Sequence, residues 1–516
     1  MKSYILFLIV FVSFAVNTFA ADVLFDTSFT DTKLSDGWVV DQRDGTLVGV
    51  SDGALRVSVP DGSSHKFASA SLPLPVESYR GCRLLVRSRV RCENIAKPPN
   101  AWNGVKCMLK IVTPSQTHWL QQNDVNGTFD WRDIAFNANV PRDTQSLDLI
   151  LGIENTTGTV LFQNVRIEAV ARQRSRTDAA QRVDNAASNT APRIRGAMIS
   201  PQRFAESDLD LLAGKWKANH VRWQIIAGGF PRCVLDDKPV AEYNEWFEGE
   251  LVRLEKMMPL LEKYGVKVVI DVHTPPGGRD ETSDCLLFKR KEYQEAFIAN
   301  WIKIAKRFRG KPAVWGYDLV NEPVEGIIPD GVMNWRDLAL VTAKAIRQID
   351  RDTPIIIEPA PWASPDALDW FEPFDKSEVD NVIYSVHYYL PHSFTHQGVH
   401  NKPNGIKYPG KIDGKDWNKE QIRQTLRPII EFQKDYGVTM YIGEFSAARW
   451  ADGAATWLND VIELLEENQW HWAYHAFRES DIWSIEHDNN PKNKQRSNVP
   501  TDREMLLRKW WELNAK

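Results

Sequence analysis

From Ile194 onward the chain alternates short apolar runs with longer amphipathic ones, and it does so eight times. That repetition constrains the fold more than any other feature. Short runs bounded by turn residues read as buried strands, and the long runs with a 3.6-residue period read as helices. The expected strands are Ile194–Ile199, His220–Ile226, Val266–Val272, Val314–Asn321, Ile355–Glu358, Val382–Tyr389, Met440–Phe445 and Trp470–Phe477. The clear helices are Glu242–Tyr264, Tyr293–Phe308, Trp335–Asp350, Lys419–Tyr436 and Ala454–Glu467, with Arg503–Leu513 closing the chain. Eight β–α units over residues 193–516 predict an α/β fold of the (β/α)8 TIM-barrel type. A doubly wound open sheet would show a Gly-rich phosphate turn after its first strand, and none is present.

The preceding residues follow a different rule. Between 21 and 170, short alternating runs recur at Ala54–Val59, Arg83–Val90, Val105–Ile111, Leu147–Ile153 and Val160–Val170. Turn pairs such as Asp52-Gly53 and Asn126-Gly127 separate them. This predicts an all-β sandwich. Residues 171–192 have almost no large apolar side chain and read as an exposed linker, or alternatively as a polar surface helix. Residues 1–20 carry Lys2, an apolar run from Tyr4 to Val16, and small residues Thr18 and Ala20, the pattern of a secretory signal peptide. The run is too short for a membrane span. A secreted protein is expected, extracellular or periplasmic, with no membrane span.

A net charge of −5 argues against a nucleic-acid partner. Twenty Trp residues in 516 exceed ordinary usage; core packing or stacking on sugar rings would use them. The five Cys show no zinc spacing. Cys233 and Cys285 fall in the loops after the second and third strands, so a disulfide is expected between them.

In such a barrel the reacting groups sit where strands end. The second strand ends near His220-Val221-Arg222, and the third ends Asp271-Val272-His273. The fourth ends Asn321-Glu322-Pro323, the sixth His387-Tyr388-Tyr389 and the seventh Gly443-Glu444-Phe445. Glu322 and Glu444 should face each other across the barrel mouth. Glycoside hydrolysis needs such a pair: one carboxyl protonates the leaving oxygen, and the other attacks the anomeric carbon or activates water. Asn321 is placed to bond a sugar 2-hydroxyl, while Arg222 and Tyr389 are placed to hold Glu444 ionised. The competing reading makes both glutamates buried ion-pair partners. His220, His273, His387 and His475 offer a metal-site reading, but the first strand ends Met198-Ile199-Ser200 without a His-x-His pair. No cofactor and no catalytic metal are expected; Asp- and Asn-rich loops leave calcium open in the first domain.

The ordered set Arg222, His273, Asn321-Glu322-Pro323, His387-Tyr388-Tyr389 and Gly443-Glu444-Phe445 resembles glycoside hydrolase family 5, the cellulase and mannanase family, over about residues 194–516. The resemblance implies a retaining double displacement with Glu322 as acid/base and Glu444 as nucleophile. It places Arg222, His273, Asn321, His387 and Tyr389 around the sugar at the cleavage point. The family often carries a Trp sugar platform after the eighth strand; here Trp472-Ala473-Tyr474-His475-Ala476-Phe477 puts His475 at that place. Trp483 and Trp362 are the alternative platforms. The sandwich resembles jelly-roll carbohydrate-binding modules through Phe25-Asp26, Trp131-Arg132-Asp133 and the strand from Gly158 to Val165. Trp38, Trp102, Trp119 and Trp131 are its candidate sugar contacts, against a reading as a spacer without ligand.

The expected function is a secreted retaining hydrolase of β-glycosidic bonds in a polysaccharide, endo-acting on β-1,4-glucan or a related β-glycan, and monomeric. The loops Pro275–Asp284 and Pro391–Asp416 would shape its cleft. The alternatives are an exo-acting β-glycosidase and a non-catalytic glycan-binding protein on a barrel scaffold.

Overall fold

The computed structural model describes residues 22–31, 33–43, 45–174, 193–227 and 240–515. The expected leader, Cys233 and residues 175–192 of the expected linker lie outside these. The chain divides into two compact units, the first ending at Ala171 and the second beginning at Arg172.

The first unit is a sandwich of two antiparallel sheets. One runs Leu47–Ser51, Ala54–Val59, Gly158–Arg172, Cys82–Ile95, Gly127–Asn139, with Asp22–Ser28 also paired to Gly158–Arg172. The other runs Val39–Asp41, Phe67–Pro73, Ser146–Glu154, Gly104–Val112, Thr117–Gln121. Alternation turns one face of each strand inward. Val57, Leu84 and Val86 from the first sheet meet Ala70, Leu109 and Leu149 from the second in one core. Fully burying each larger aliphatic side chain stabilises by about 1.5–3 kcal/mol. The last strand continues to Arg172, two residues into the stretch expected as linker.

In the second unit the eight strands Arg195–Ile199, His220–Gln224, Lys267–Asp271, Val314–Asp318, Ile355–Ile357, Val382–Tyr388, Thr439–Phe445 and His471–Phe477 close into a barrel in that order. Each neighbouring pair is parallel. The helices bury the stripe that their sequence presents. In Val240–Lys263 these residues are Tyr243, Phe247, Leu251, Leu254, Met258 and Leu261, three or four apart. The helix expected over Lys419–Tyr436 is broken into Lys419–Thr425 and Arg427–Tyr436. Pro428, in the first turn of the second piece, has no N–H to continue the ladder. Gly437, left-handed at φ 64°, then ends the helix two residues before the seventh strand.

The barrel interior is layered. Val269, Trp315, Ile356, Ile383, Tyr441 and Ala473 form an apolar plug. Side chains two residues further along a strand return to the same face. One step of this kind leads from Val269 to Asp271, from Ile356 to Glu358, and from Ala473 to His475. Ile383 leads through Ser385 to His387 in the same way. A polar layer therefore sits directly above the plug at the strands' C-terminal ends.

Candidate active site

Arg222 is the centre of that layer. It is fully buried, a position that costs a charge heavily unless it is paired. Its Nη1 donates to Glu444 Oε1 at 2.6 Å and its Nε to Asp318 Oδ2 at 3.0 Å. Nη2 donates to Glu358 Oε1 at 2.8 Å and to Asn321 Oδ1 at 3.1 Å. Asp271 Oδ1 is 3.2 Å from the same nitrogen. Burial opposes the charge, but Asp271, Asp318, Glu358 and Glu444 together hold Arg222 well above its ordinary pKa. Asp318 is pushed up, by burial first and then by Glu358, with Arg222 opposing.

Glu444 also accepts from the Tyr389 hydroxyl, 2.7 Å to Oε2. Burial alone would raise its carboxyl. The charges of His387, His475, Arg222 and His273 overcome burial and hold it well below the usual carboxylate range. Burial and the neighbouring Glu444 push Tyr389 up, so the phenol keeps its proton and donates.

Glu322 approaches from the fourth strand. Its backbone is left-handed at φ 47°, a conformation that costs a non-glycine residue about 1–3 kcal/mol. Two groups hold it there. Glu358 Oε2 accepts from the Glu322 N–H at 2.6 Å, and Arg279 Nη2 donates to the Glu322 carbonyl at 2.6 Å and the Asn321 carbonyl at 3.1 Å. The side chain bonds His387 Nδ1 through Oε1 at 2.8 Å. His387 Nε2 lies 3.1 Å from Glu358 Oε1. Burial opposes a charge on this ring too, but Glu358, Glu444 and Glu322 hold it protonated, well above the ordinary histidine value. One ligand-type atom each from Glu322, His387 and Glu444 lie within 4.8 Å of one another. Gly443 makes room for the ring: a Cβ there would lie 2.8 Å from Ser385 Oγ and 3.1 Å from His387 Nε2.

The remaining expected residues join the same rim. His273 Nδ1 bonds Asp271 Oδ2 at 2.8 Å. His475 Nδ1 lies 2.6 Å from the Tyr389 hydroxyl, and its Nε2 lies 3.2 Å from Glu479 Oε2. Trp483 is buried behind His475, with ring centroids 5.6 Å apart, and also contacts Tyr389 and His396. Trp362 is 37% exposed and carries the Arg279 guanidinium 4.9 Å over its ring. His220 is remote from this chemistry, bonding the Tyr441 hydroxyl at 2.8 Å in the plug. Cys285 is a buried free thiol, raised by burial; Cys233, its expected partner, lies outside the described residues.

Sequence reasoning missed Glu358, Arg279, Glu479 and the part Asp318 plays. Glu358 had a signal: it is the ionisable residue directly after Ile355-Ile356-Ile357, at a strand end like the others. Arg279 and Glu479 sit in loops, where no periodicity marks a residue's direction.

Comparison with known proteins agrees with this geometry. The family model described as cellulase (glycosyl hydrolase family 5) matches residues 182–481. Endoglucanase C of Acetivibrio thermocellus is 29% identical over 324 residues, covering 57% of this chain and 90% of that protein. Cellodextrinase A of Ruminococcus flavefaciens is 28% identical over 251 residues, 46% of this chain and 68% of that protein. Among solved structures, Thermotoga maritima Cel5A in complex with mannotriose aligns with TM-score 0.45 and 25% identity over 61% of this chain and 97% of its own. The family match spans more than half of the chain and takes in the strands that bring Glu322 and Glu444 together: the chain belongs to the cellulase family, glycosyl hydrolase family 5.

Proposed function

We propose that the protein is a secreted, retaining, endo-acting hydrolase of β-1,4-glucan or a closely related β-glycan, with Glu444 as nucleophile and Glu322 as acid/base. The observation that carries this reading is the pairing of an ionised Glu444, gripped by Arg222 and Tyr389, with Glu322 oxygen and Glu444 oxygen within 4.8 Å of each other. Retaining enzymes keep their two carboxyl groups about 5–5.5 Å apart, closer than the about 6.5–9.5 Å of inverting ones, and the close approach of the two side chains supports the shorter spacing. Relatives named endoglucanase support the substrate class. The leader pattern of the first twenty residues supports export; among the described residues no helix is long and apolar enough to cross a membrane.

In the first step Glu322 protonates the glycosidic oxygen as Glu444 attacks the anomeric carbon, and the C–O bond to the leaving sugar breaks. In the second, Glu322, now a carboxylate, takes a proton from water, and that water displaces Glu444. His387, bonded to Glu322 and facing both Glu358 and Glu444, keeps the acid/base oriented through both steps. A reducing-sugar assay across β-glucans, mannans and xyloglucans tests the substrate, and product lengths separate endo from exo action. Glu322→Ala tests the roles. Its rate should fall about 10²–10⁴-fold on poor leaving groups and far less on activated aryl glycosides. Added azide should restore turnover with a β-configured glycosyl azide; an α-configured product reverses the assignment.

The sandwich is proposed to hold the same polysaccharide. Trp102 and Trp119 are 59% and 55% exposed, while Trp38 is turned onto Phe29 and the core. Gln121, two residues from Trp119 on one strand face, donates to the Trp102 carbonyl at 2.6 Å, which brings the Trp102 backbone to that face. Trp119→Ala should weaken retention on insoluble glucan about tenfold, the equivalent of about 1.4 kcal/mol. Rates on soluble substrate should not change. Unchanged retention in a Trp102→Ala, Trp119→Ala double variant would assign the sandwich a spacer role.

A further inference from the structure

His475 has both ring nitrogens committed, and donor–acceptor accounting decides its state. Tyr389 has one hydroxyl proton. Glu444 Oε2, an ionised acceptor 2.7 Å away, takes it. The contact between Tyr389 and His475 Nδ1 at 2.6 Å must then be made by a proton on the ring nitrogen, with the phenol oxygen accepting. On the other side Nε2 faces Glu479 Oε2 at 3.2 Å, and a carboxylate only accepts. Both nitrogens therefore carry protons. Glu479 is itself fixed by Gln224 Nε2, which donates to the same oxygen at 3.0 Å.

We propose that Glu479 and His475 are positioning residues for the reaction: the carboxylate holds His475 as an imidazolium, and the imidazolium forces the Tyr389 hydroxyl to donate to Glu444 rather than away from it. The proposal rests on Glu444 being the nucleophile. A neutral His475 would be free to present a lone pair at Nδ1 and draw the phenol proton off the nucleophile. The charged ring cannot, so the hydrogen-bond direction Glu479 ← His475 → Tyr389 → Glu444 is set before substrate arrives. An aromatic residue without ring nitrogens at this position could not impose that direction. Trp483, packed against the far side of His475, keeps the ring in place.

The titratable groups facing His475 come from several elements: Glu479 beyond the eighth strand, Glu444 on the seventh, His387 on the sixth, and His396 in the loop after it, whose ring burial keeps neutral. Burial pushes His475 down, and Glu479 and Glu444 outweigh it to leave the ring raised. Its positive charge is among those that hold Glu444 ionised.

Two variants test this, Glu479→Gln and His475→Gln, with Glu479→Asp as the conservative control. In each Gln variant Glu444 loses a positive neighbour and its donor, so its pKa rises and the acid limb of kcat/KM moves to higher pH, by about one unit or more. kcat falls about tenfold and KM changes much less, because both residues act on the reaction through Tyr389 and Glu444. Glu479→Asp recovers most of both. Nitrogen-15 histidine labelling, with the missing signal in His475→Gln as assignment, reads the ring directly: two protonated nitrogens at pH 7 in the native protein, and one in Glu479→Gln. A neutral His475 in the native protein, or an acid limb unmoved in both Gln variants, overturns the proposal. If covalent trapping labels a residue other than Glu444, the mechanism above fails, while the protonation state of His475 is still read independently.

Discussion

Glu444→Gln is expected to lose turnover by about 10⁴-fold or more in kcat, the scale of loss when a nucleophile acting in a unit with its partners is removed. Folding should survive. Gln keeps the shape; its amide oxygen can still accept from Arg222, and its NH2 can donate to the Tyr389 oxygen. Arg222 retains Asp318 at 2.9 Å, Glu358 at 2.8 Å and Asp271 at 3.2 Å, so no buried charge is left alone. The native protein treated with a 2-deoxy-2-fluoro glycoside carrying a good leaving group should gain one glycosyl mass on the peptide containing Glu444, and Glu444→Gln should gain none. A label on Glu322 in the native protein would invert the roles.

Arg222→Met is expected to damage both fold and reaction. It leaves Asp271, Asp318, Glu358 and Glu444 around one buried spot with His387 as the nearest remaining charge facing Glu358 and Glu444. Breaking a buried pair from one side costs about 3–5 kcal/mol, because the remaining charge stays desolvated. The rate should fall on the order of 10²–10³-fold as the preorganised donor to Glu444 disappears. The pH dependence identifies the cause. In the native protein the Glu444 carboxyl is depressed below its unfolded value, so its contribution to stability is present above the unfolded pKa of about 4.3 and is lost as pH falls. In Arg222→Met the orphaned carboxyls are raised in the folded state, so that protein loses stability as pH rises. The gap in denaturation midpoint between the two should therefore narrow toward acid pH. A constant gap would assign the loss to packing instead.

Much of the site could be read from residues alone, because a barrel strand writes its end plainly. A run such as Val382 to Val386 has to stop being apolar where the strand meets solvent, and the first ionisable residue there, His387, faces the mouth. The same logic located Glu322 and Glu444, whereas Arg222, expected near a strand end, lies in the middle of the strand His220–Gln224 and reaches the mouth by the length of its side chain. Glu358 also ends an expected strand, Ile355–Glu358, but its bonds to Arg222 and to the Glu322 N–H arise only in the folded site. Arg279 and Glu479 carried no such mark. Arg279 acts through the carbonyls of Asn321 and Glu322, and a backbone acceptor is invisible to any residue pattern. The helix break at Leu426 was written in Pro428 but hidden by the continuing apolar stripe of Ile422, Ile429 and Phe432.

What the residues determined by themselves is local: period-two and period-3.6 patterns that set strands, helices and their order, and polar residues at strand ends. Adjacent residues are enough for that, since backbone geometry and burial act over a few positions. Only closure of the barrel decided who pairs with whom. Arg222 and Glu444 are 222 residues apart, and Arg222 and Glu358 are 136 apart. Their contact exists because eight tilted strands converge on one mouth. The same closure gathers several carboxylates around one guanidinium, pushes the Asp318 carboxyl up, and turns His475 onto Tyr389 and Glu479. Ionisation states follow from burial and from the sum of neighbouring charges, and both are properties of the assembled interior.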